Sequence, residues 1–322
     1  MKPLFLFSLP RSGSTLLQRM LAGHSAIQTA PEPWVMLALA GLKPGEGAGA
    51  IYASYSRHGL NDALRDFVDA MPAGTAAYDE ILREAATKMY EAASSRSGEY
   101  FLDKTPRYFL IIDFILDLFP DSPAIALIRH PLDVLASVIR GWGGGRLWIH
   151  NALLDLYHGP VLLHEAMRRR PTRFLRVEYE NLVAEPATVC RALCSHLELS
   201  YEEEMTTASP ETVTRGEMGD KSENIHRREV VGSSIGSWRE VLATPVRREF
   251  ARRYIRRLGP DVLATFGSDL GELDGELRAL PTHWERTLED LACLAASFAA
   301  PAAAATVIRG QWRGRFPMTK LD

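Results

Sequence analysis

Cysteine is scarce in this chain of 322 residues, and other absences narrow the field further. Cys190, Cys194 and Cys293 are too few for a disulfide framework, and no histidine cluster stands at zinc spacing around Cys190 and Cys194. Buried thiols in a reducing compartment are expected, with no metal. No apolar run approaches the roughly 20 residues of a membrane span. The alanine-rich stretch from Ala295 to Thr306 is broken by Pro301. Met1-Lys2-Pro3 runs straight into an apolar segment and leaves no room for a signal peptide. A cytoplasmic protein without a membrane span is the expectation. A formal net charge of −3 offers no basic excess for nucleic acid. Also missing is Gly-Lys-Ser/Thr, the core of the ATPase phosphate loop, where the lysine meets the terminal phosphates and the hydroxyl meets magnesium. A P-loop kinase-like nucleotide phosphotransferase needs that loop, and it stands only as the alternative reading.

What is present begins at residue 4. Leu4-Phe5-Leu6-Phe7 is an apolar run of the kind that forms a buried parallel strand, and it breaks at Pro10 into Arg11-Ser12-Gly13-Ser14-Thr15. Leu16, Leu17, Met20 and Leu21 then recur at helical spacing, with Gly23 as the stop. A strand, a tight turn of small residues and a helix N-terminus make an anion cradle. The first-turn N–H groups have no partner within the helix, and its dipole favours negative charge there. Ser12, Ser14 and Thr15 add hydroxyls, and Arg11 adds a permanent charge with a planar fork of donors.

Further along, Tyr100-Phe101-Leu102, Ala124 to Ile128 and Phe174 to Tyr179 read as strands. Helical patterns lie between them: Val35–Leu42, two amphipathic stretches within 60–97, Arg107–Phe119, Leu132–Arg140 and about Pro186–His196. This alternation predicts an α/β fold, a single domain whose central parallel sheet is flanked by helices on both faces. Sites in such sheets form at the carboxyl ends of the strands, so the loops after Phe7, Leu102, Ile128 and Val177 are where functional side chains should meet. Domain limits are drawn at 1–270, with 35–97 as a helical acceptor-side insertion, and 271–322 as a C-terminal helical appendage.

Arg129 stands at a strand end, and Ser137 lies eight residues on, two turns along the next helix. Two readings are open. Either the guanidinium and hydroxyl converge on one phosphate, or Arg129 pairs with Asp133 and Ser137 fills a helix surface. The six arginines between Arg247 and Arg257 read as a solvated helix face, with docking of an acidic carrier domain as the sharper option.

Pro10-Arg11-Ser12-Gly13-Ser14-Thr15-Leu16-Leu17 closely resembles the 5′-phosphosulfate loop of sulfotransferases that use 3′-phosphoadenosine 5′-phosphosulfate (PAPS), of the Arg-Ser-Gly type. Three further segments resemble that family in its order. Arg129 with Ser137 matches the clasp on the nucleotide's 3′-phosphate. Tyr179-Glu180-Asn181-Leu182 matches a segment beside the adenine or ribose. Gly232-Ser233-Ser234-Ile235-Gly236-Ser237-Trp238 matches the late segment that closes over the 3′-phosphate, although Val231-Gly232-Ser233 stands where animal cytosolic members carry Arg-Lys-Gly.

The resemblance implies a P-loop-like fold and a sulfuryl transfer from PAPS to an acceptor hydroxyl, with adenosine 3′,5′-bisphosphate (PAP) as the other product. It implies Arg11, Ser12, Gly13, Ser14, Thr15, Arg129, Ser137, Tyr179 and Ser233 as nucleotide-binding residues, and Arg11 and Lys104 as catalytic cations. Animal cytosolic members place their histidine base after Lys-Thr; here Pro106 follows Lys104-Thr105. Glu32, bracketed by Pro31 and Pro33, falls where Arg-Ser-Gly members carry a catalytic glutamate and is the expected general base, with Asp103 in reserve. The implied acceptor is a small molecule, a sugar, a lipid or a chain carried on an acyl carrier domain.

Overall fold

The computed structural model describes residues 1–42, 63–95, 97–207 and 234–299. Five parallel strands form one sheet in the order β2-β3-β1-β4-β5. They are β1 (Lys2–Ser8), β2 (Ile27–Thr29), β3 (Tyr100–Lys104), β4 (Ala124–Ile128) and β5 (Phe174–Glu178). Register is set by β1 at the centre, with Leu4 opposite Leu102 of β3 and Leu6 opposite Ile125 of β4.

The period-two alternation of β1 divides the interior into two cores. Leu4 and Leu6 face one side, with Leu17, Met20 and Leu21 of α1 (Ser14–Ala22). Phe5 and Phe7 face the other. Every residue of β1 after Lys2 is buried, as expected of a strand covered on both faces.

Further helices, in chain order, are α2 (Val35–Ala40), α3 (Gly74–Ala93), α4 (Ile112–Leu118), α5 (Pro131–Gly141), α6 (Leu153–Tyr157), α7 (Gly159–Arg169), α8 (Tyr179–Ala184) and α9 (Pro186–Leu197), and residues 63–69 are also helical. From residue 234 on come α10 (Trp238–Val241), α11 (Pro245–Leu258), α12 (Pro260–Thr265), α13 (Leu270–Ala279) and α14 (Thr287–Ala299).

Three local differences from the sequence reading have simple causes. The helix expected over Arg107–Phe119 is split into a 3₁₀ turn, Pro106–Leu110, and α4, because Ile111 leaves helical geometry at φ −136°. Strand β3 runs two residues further, through Asp103 and Lys104, since both side chains are buried. Tyr179 opens helix α8 instead of ending β5.

The segment drawn as an appendage is continuous with the body as far as it is described. Leu273 and Leu277 of α13 lie in the larger core, and α14 carries Asp290, which is fully buried. Residues 43–62 of the expected insertion and residues 300–322 lie outside the described residues.

Arg247 departs from the solvated face expected of its helix. Its guanidinium is buried against Asp290, with Nε to Oδ2 at 2.6 Å, and it also donates to the carbonyls of Val241 and Gly145. Together with the Leu147 N–H donated to Asp290 Oδ1, this ties α11 and α14 to the glycine-rich turn after α5. Among the described residues, no helix is long and apolar enough to cross a membrane.

Candidate active site

The turn between β1 and α1 has the geometry its sequence dictates. Arg11 and Gly13 both take positive φ, 67° and 89°, which folds the turn tightly. Gly13 is the N-cap of α1 and supplies no side-chain cap, so the first-turn amides have no side-chain partner at Gly13. Ser8 and Ser12 are fully buried, and among the described residues neither hydroxyl has a hydrogen-bond partner. Buried hydroxyls without partners are rare in folded chains, so each calls for an explanation.

Four of the residues singled out from sequence come together beside this turn. Arg11 Nε donates to Ser137 Oγ at 3.2 Å, and Arg129 Nη1 donates to the Arg11 carbonyl at 2.9 Å. The Arg129 guanidinium lies 4.2 Å from the centroid of the Tyr179 ring. Its Nη2 donates to the Ser234 carbonyl at 3.2 Å, while its buried Nε has no partner among the described residues. Burial lowers the pKa of this arginine, which still stays charged. The Tyr179 and Ser234 hydroxyls are 2.9 Å apart.

Asp133, the alternative partner of Arg129, is engaged by the late segment instead. Its carboxylate accepts from the backbone N–H groups of Gly236 and Trp238, at 2.8 and 3.1 Å, and so holds the late segment against α5. The terminal nitrogens of Arg129 go elsewhere. Ser14 is buried and Thr15 half-buried at the start of α1. Ser233 lies outside the described residues; its neighbour Ser234 is the first residue after that gap.

On the other side of β1, Lys104 Nζ donates to Glu32 Oε1 at 2.9 Å. Lys104 is 1% exposed and Glu32 14%, so the pair is shielded and the glutamate keeps only slight exposure. The Glu32 segment is pinned at its backbone. Gln18 of α1 donates to the Ala30 carbonyl at 2.9 Å, the Trp34 N–H donates to Thr105 Oγ1 at 3.3 Å, and the Met36 N–H donates to Tyr108 Oη at 3.1 Å. Arg107 sits close by in a two-pronged pair with Asp155; that bond, and more weakly Asp155 and Glu32 as neighbouring charges, raises its pKa against the opposing effect of burial.

Asp103, the reserve carboxylate, is fully buried. Its Oδ2 accepts from the Tyr90 and Tyr108 hydroxyls, both at 2.7 Å, and its Oδ1 from Thr105 at 3.4 Å. Burial pushes it up to about 6 despite those hydrogen bonds and the Lys104 charge.

Sequence reasoning did not single out Gln18 or Tyr108, and it named Asp133 only as a partner for Arg129 and Ser234 only within the late motif. Asp133 carried a signal, an acid in the first turn of a helix; for the others the contacts span too much sequence for any local pattern. Among the described residues, no three His, Cys, Asp or Glu side chains converge as metal ligands would.

Comparison with known proteins fits this geometry. A family model described as the sulfotransferase family matches residues 3–203. Nodulation protein NoeE of Sinorhizobium fredii (strain NBRC 101917 / NGR234) is 34% identical over 142 residues, 43% of this chain and 31% of that protein. An uncharacterized protein of Aquifex aeolicus (strain VF5) is 26% identical over 260 residues, 76% of this chain and 32% of its own. The chain thus spans about a third of the length of these curated relatives.

Among solved structures, the sulfotransferase domain from the curacin biosynthetic pathway superposes with a TM-score of 0.51 at 23% identity, covering 74% of this chain and 90% of that one. The sulfotransferase domain from the Synechococcus PCC 7002 olefin synthase gives 0.51 at 24%, covering 83% and 95%. Both show the same fold.

Proposed function

The chain belongs to the sulfotransferase family, and from that premise we propose that it moves a sulfuryl group from PAPS to an acceptor hydroxyl. One observation carries the reading: the Arg129 guanidinium donates to the backbone of Arg11. Two cationic anion sites, the 11–15 turn and the Arg129 side chain, therefore form one surface, suited to a nucleotide with phosphate at both its 5′ and 3′ positions. The buried unpartnered Ser12 hydroxyl and Arg129 Nε fit such a ligand.

In this reading the amides of residues 13–15 and the hydroxyls of Ser12, Ser14 and Thr15 hold the 5′-phosphosulfate, while the Ser12 amide closes the turn onto the Leu9 carbonyl. Arg129, Ser137, Tyr179 and Ser233 hold the nucleoside 3′-phosphate end, with Tyr179 beside the sugar or base. The acceptor oxygen attacks sulfur in line. A new O–S bond forms, the S–O bond to the 5′-phosphate breaks, and its electron pair leaves on PAP. Glu32 takes the hydroxyl proton. Arg11 and Lys104 stabilise negative charge spread over the sulfuryl and bridging oxygens, and the lysine also holds Glu32 in place. The part of Arg11 is electrostatic alone.

The acceptor is a hydroxyl of a small molecule, sugar or lipid, or of a chain presented on an acyl carrier domain. The origin of the two solved relatives, domains of a biosynthetic pathway and of a synthase, supports keeping the carried substrate.

The test is transfer of radiolabelled sulfuryl from PAPS across a panel of such acceptors, with and without chelator. The reading expects chelator-insensitive transfer to at least one class, and a loss of about 10²–10⁴-fold in Glu32→Gln. Phosphoryl transfer from magnesium-ATP with no consumption of PAPS would replace it with the kinase-like alternative.

A further inference from the structure

Asp103 is the one fully buried carboxylate at the end of β3 that the proposed chemistry leaves unused. An ionised carboxylate accepts hydrogen bonds and donates none. The Tyr90 and Tyr108 hydroxyls, each 2.7 Å from Oδ2, therefore turn their protons toward it, and Thr105 does so over a longer 3.4 Å. That choice fixes what the same hydroxyls do on their other side. With its proton committed to Asp103, Tyr108 Oη presents a lone pair to the Met36 N–H, and Thr105 Oγ1 presents one to the Trp34 N–H. Residues 34 and 36 lie two and four positions after Glu32, and Trp34 sits at φ 57°, a strained conformation that needs such support. Lys104, which touches Glu32, is the chain neighbour of both Asp103 and Thr105.

We propose that Asp103 is a positioning residue that fixes the Glu32 carboxylate over Lys104, acting through the Thr105 and Tyr108 hydroxyls on the backbone of the 34–36 segment. The proposal rests on Glu32 as the base. Asp103 is excluded from direct proton transfer by burial, yet it dictates the direction of both hydroxyls that brace the base-bearing loop. An asparagine in its place brings its own N–H donors, which compete with those hydroxyls and remove the directionality.

The experiment is a double-mutant cycle between Tyr108→Phe and Glu32→Gln, read as PAPS turnover to PAP with water as the acceptor. Calorimetric affinity for PAP and amide hydrogen exchange of the free protein accompany it. Tyr108→Phe keeps the buried ring and removes only the hydroxyl. It is expected to lower kcat about tenfold, to leave PAP affinity within about twofold, and to raise exchange at the Met36 amide at least tenfold. In the Glu32→Gln background it is expected to change kcat less than about twofold, because the group it positions is gone. Thr105→Val should behave like Tyr108→Phe, and Thr105→Ser should restore activity.

An equal tenfold loss in both backgrounds, or unchanged exchange at Met36, overturns the proposal while leaving Glu32 as base. Full turnover by Glu32→Gln alone overturns the base reading itself.

Discussion

A β-carbon on Gly13 would lie 2.4 Å from Cδ2 and 2.5 Å from Cε2 of Tyr179. The aromatic ring thus closes directly on the backbone of the turn at the first helix, and it does so with the Arg129 guanidinium against its ring. The glycine is required twice, by this contact and by its φ of 89°. Gly13→Ala combines a left-handed alanine, about 1–2 kcal/mol, with overpacking of about 1–3 kcal/mol. We expect a lowered melting temperature and PAP affinity reduced at least tenfold, by thermal shift and calorimetry. Tyr179→Phe keeps the ring and loses only the bond to Ser234, so it should perturb both far less.

Asp103 makes stability depend on pH in a defined window. Its pKa is raised from 3.8 to about 6, so between those values the folded protein holds a proton that the unfolded chain has released. Its contribution is fully present below about pH 4 and is lost as pH rises to about 6, then stays flat, amounting to about 3 kcal/mol. Denaturant unfolding of the wild type and Asp103→Asn should therefore give a difference that moves against the wild type by about that amount between pH 4 and 7. A constant difference across the range would contradict it.

The buried Arg247–Asp290 pair holds the C-terminal helices onto the body. Asp290 is fully buried and also accepts from the Leu147 amide, so Asp290→Ala strands a buried guanidinium and a backbone N–H. The expected loss is about 3–5 kcal/mol in urea unfolding. Arg253, on the same helix but 75% exposed, should cost no more than about 0.5 kcal/mol when changed to alanine.

The sheet was largely legible because β1, β4 and much of β3 are continuous apolar runs, the mark of strands buried on both faces. Strand β2 escaped notice because three residues, one of them the buried Gln28, carry no readable period. At the site, residue types pointed to Arg11, Arg129 and Glu32 through local motifs. The contacts that join them, Glu32 with Lys104 and Arg129 with the Arg11 backbone, link residues far apart in the chain, which only the folded topology brings together. Arg247 was read as solvated since it shares a helix with exposed arginines, and its partner Asp290 lies 43 residues on.

The central claim is that Arg129 and the 11–15 turn hold two phosphates of one nucleotide. Calorimetry of wild type and Arg129→Ala with PAP and with adenosine 5′-monophosphate, which lacks the 3′-phosphate, tests it most directly. The account predicts that PAP binds the wild type at least tenfold more tightly than the monophosphate, and that Arg129→Ala abolishes this preference while leaving the weak monophosphate binding within about twofold. Equal affinity of the wild type for the two nucleotides, or an undiminished preference in Arg129→Ala, would contradict it.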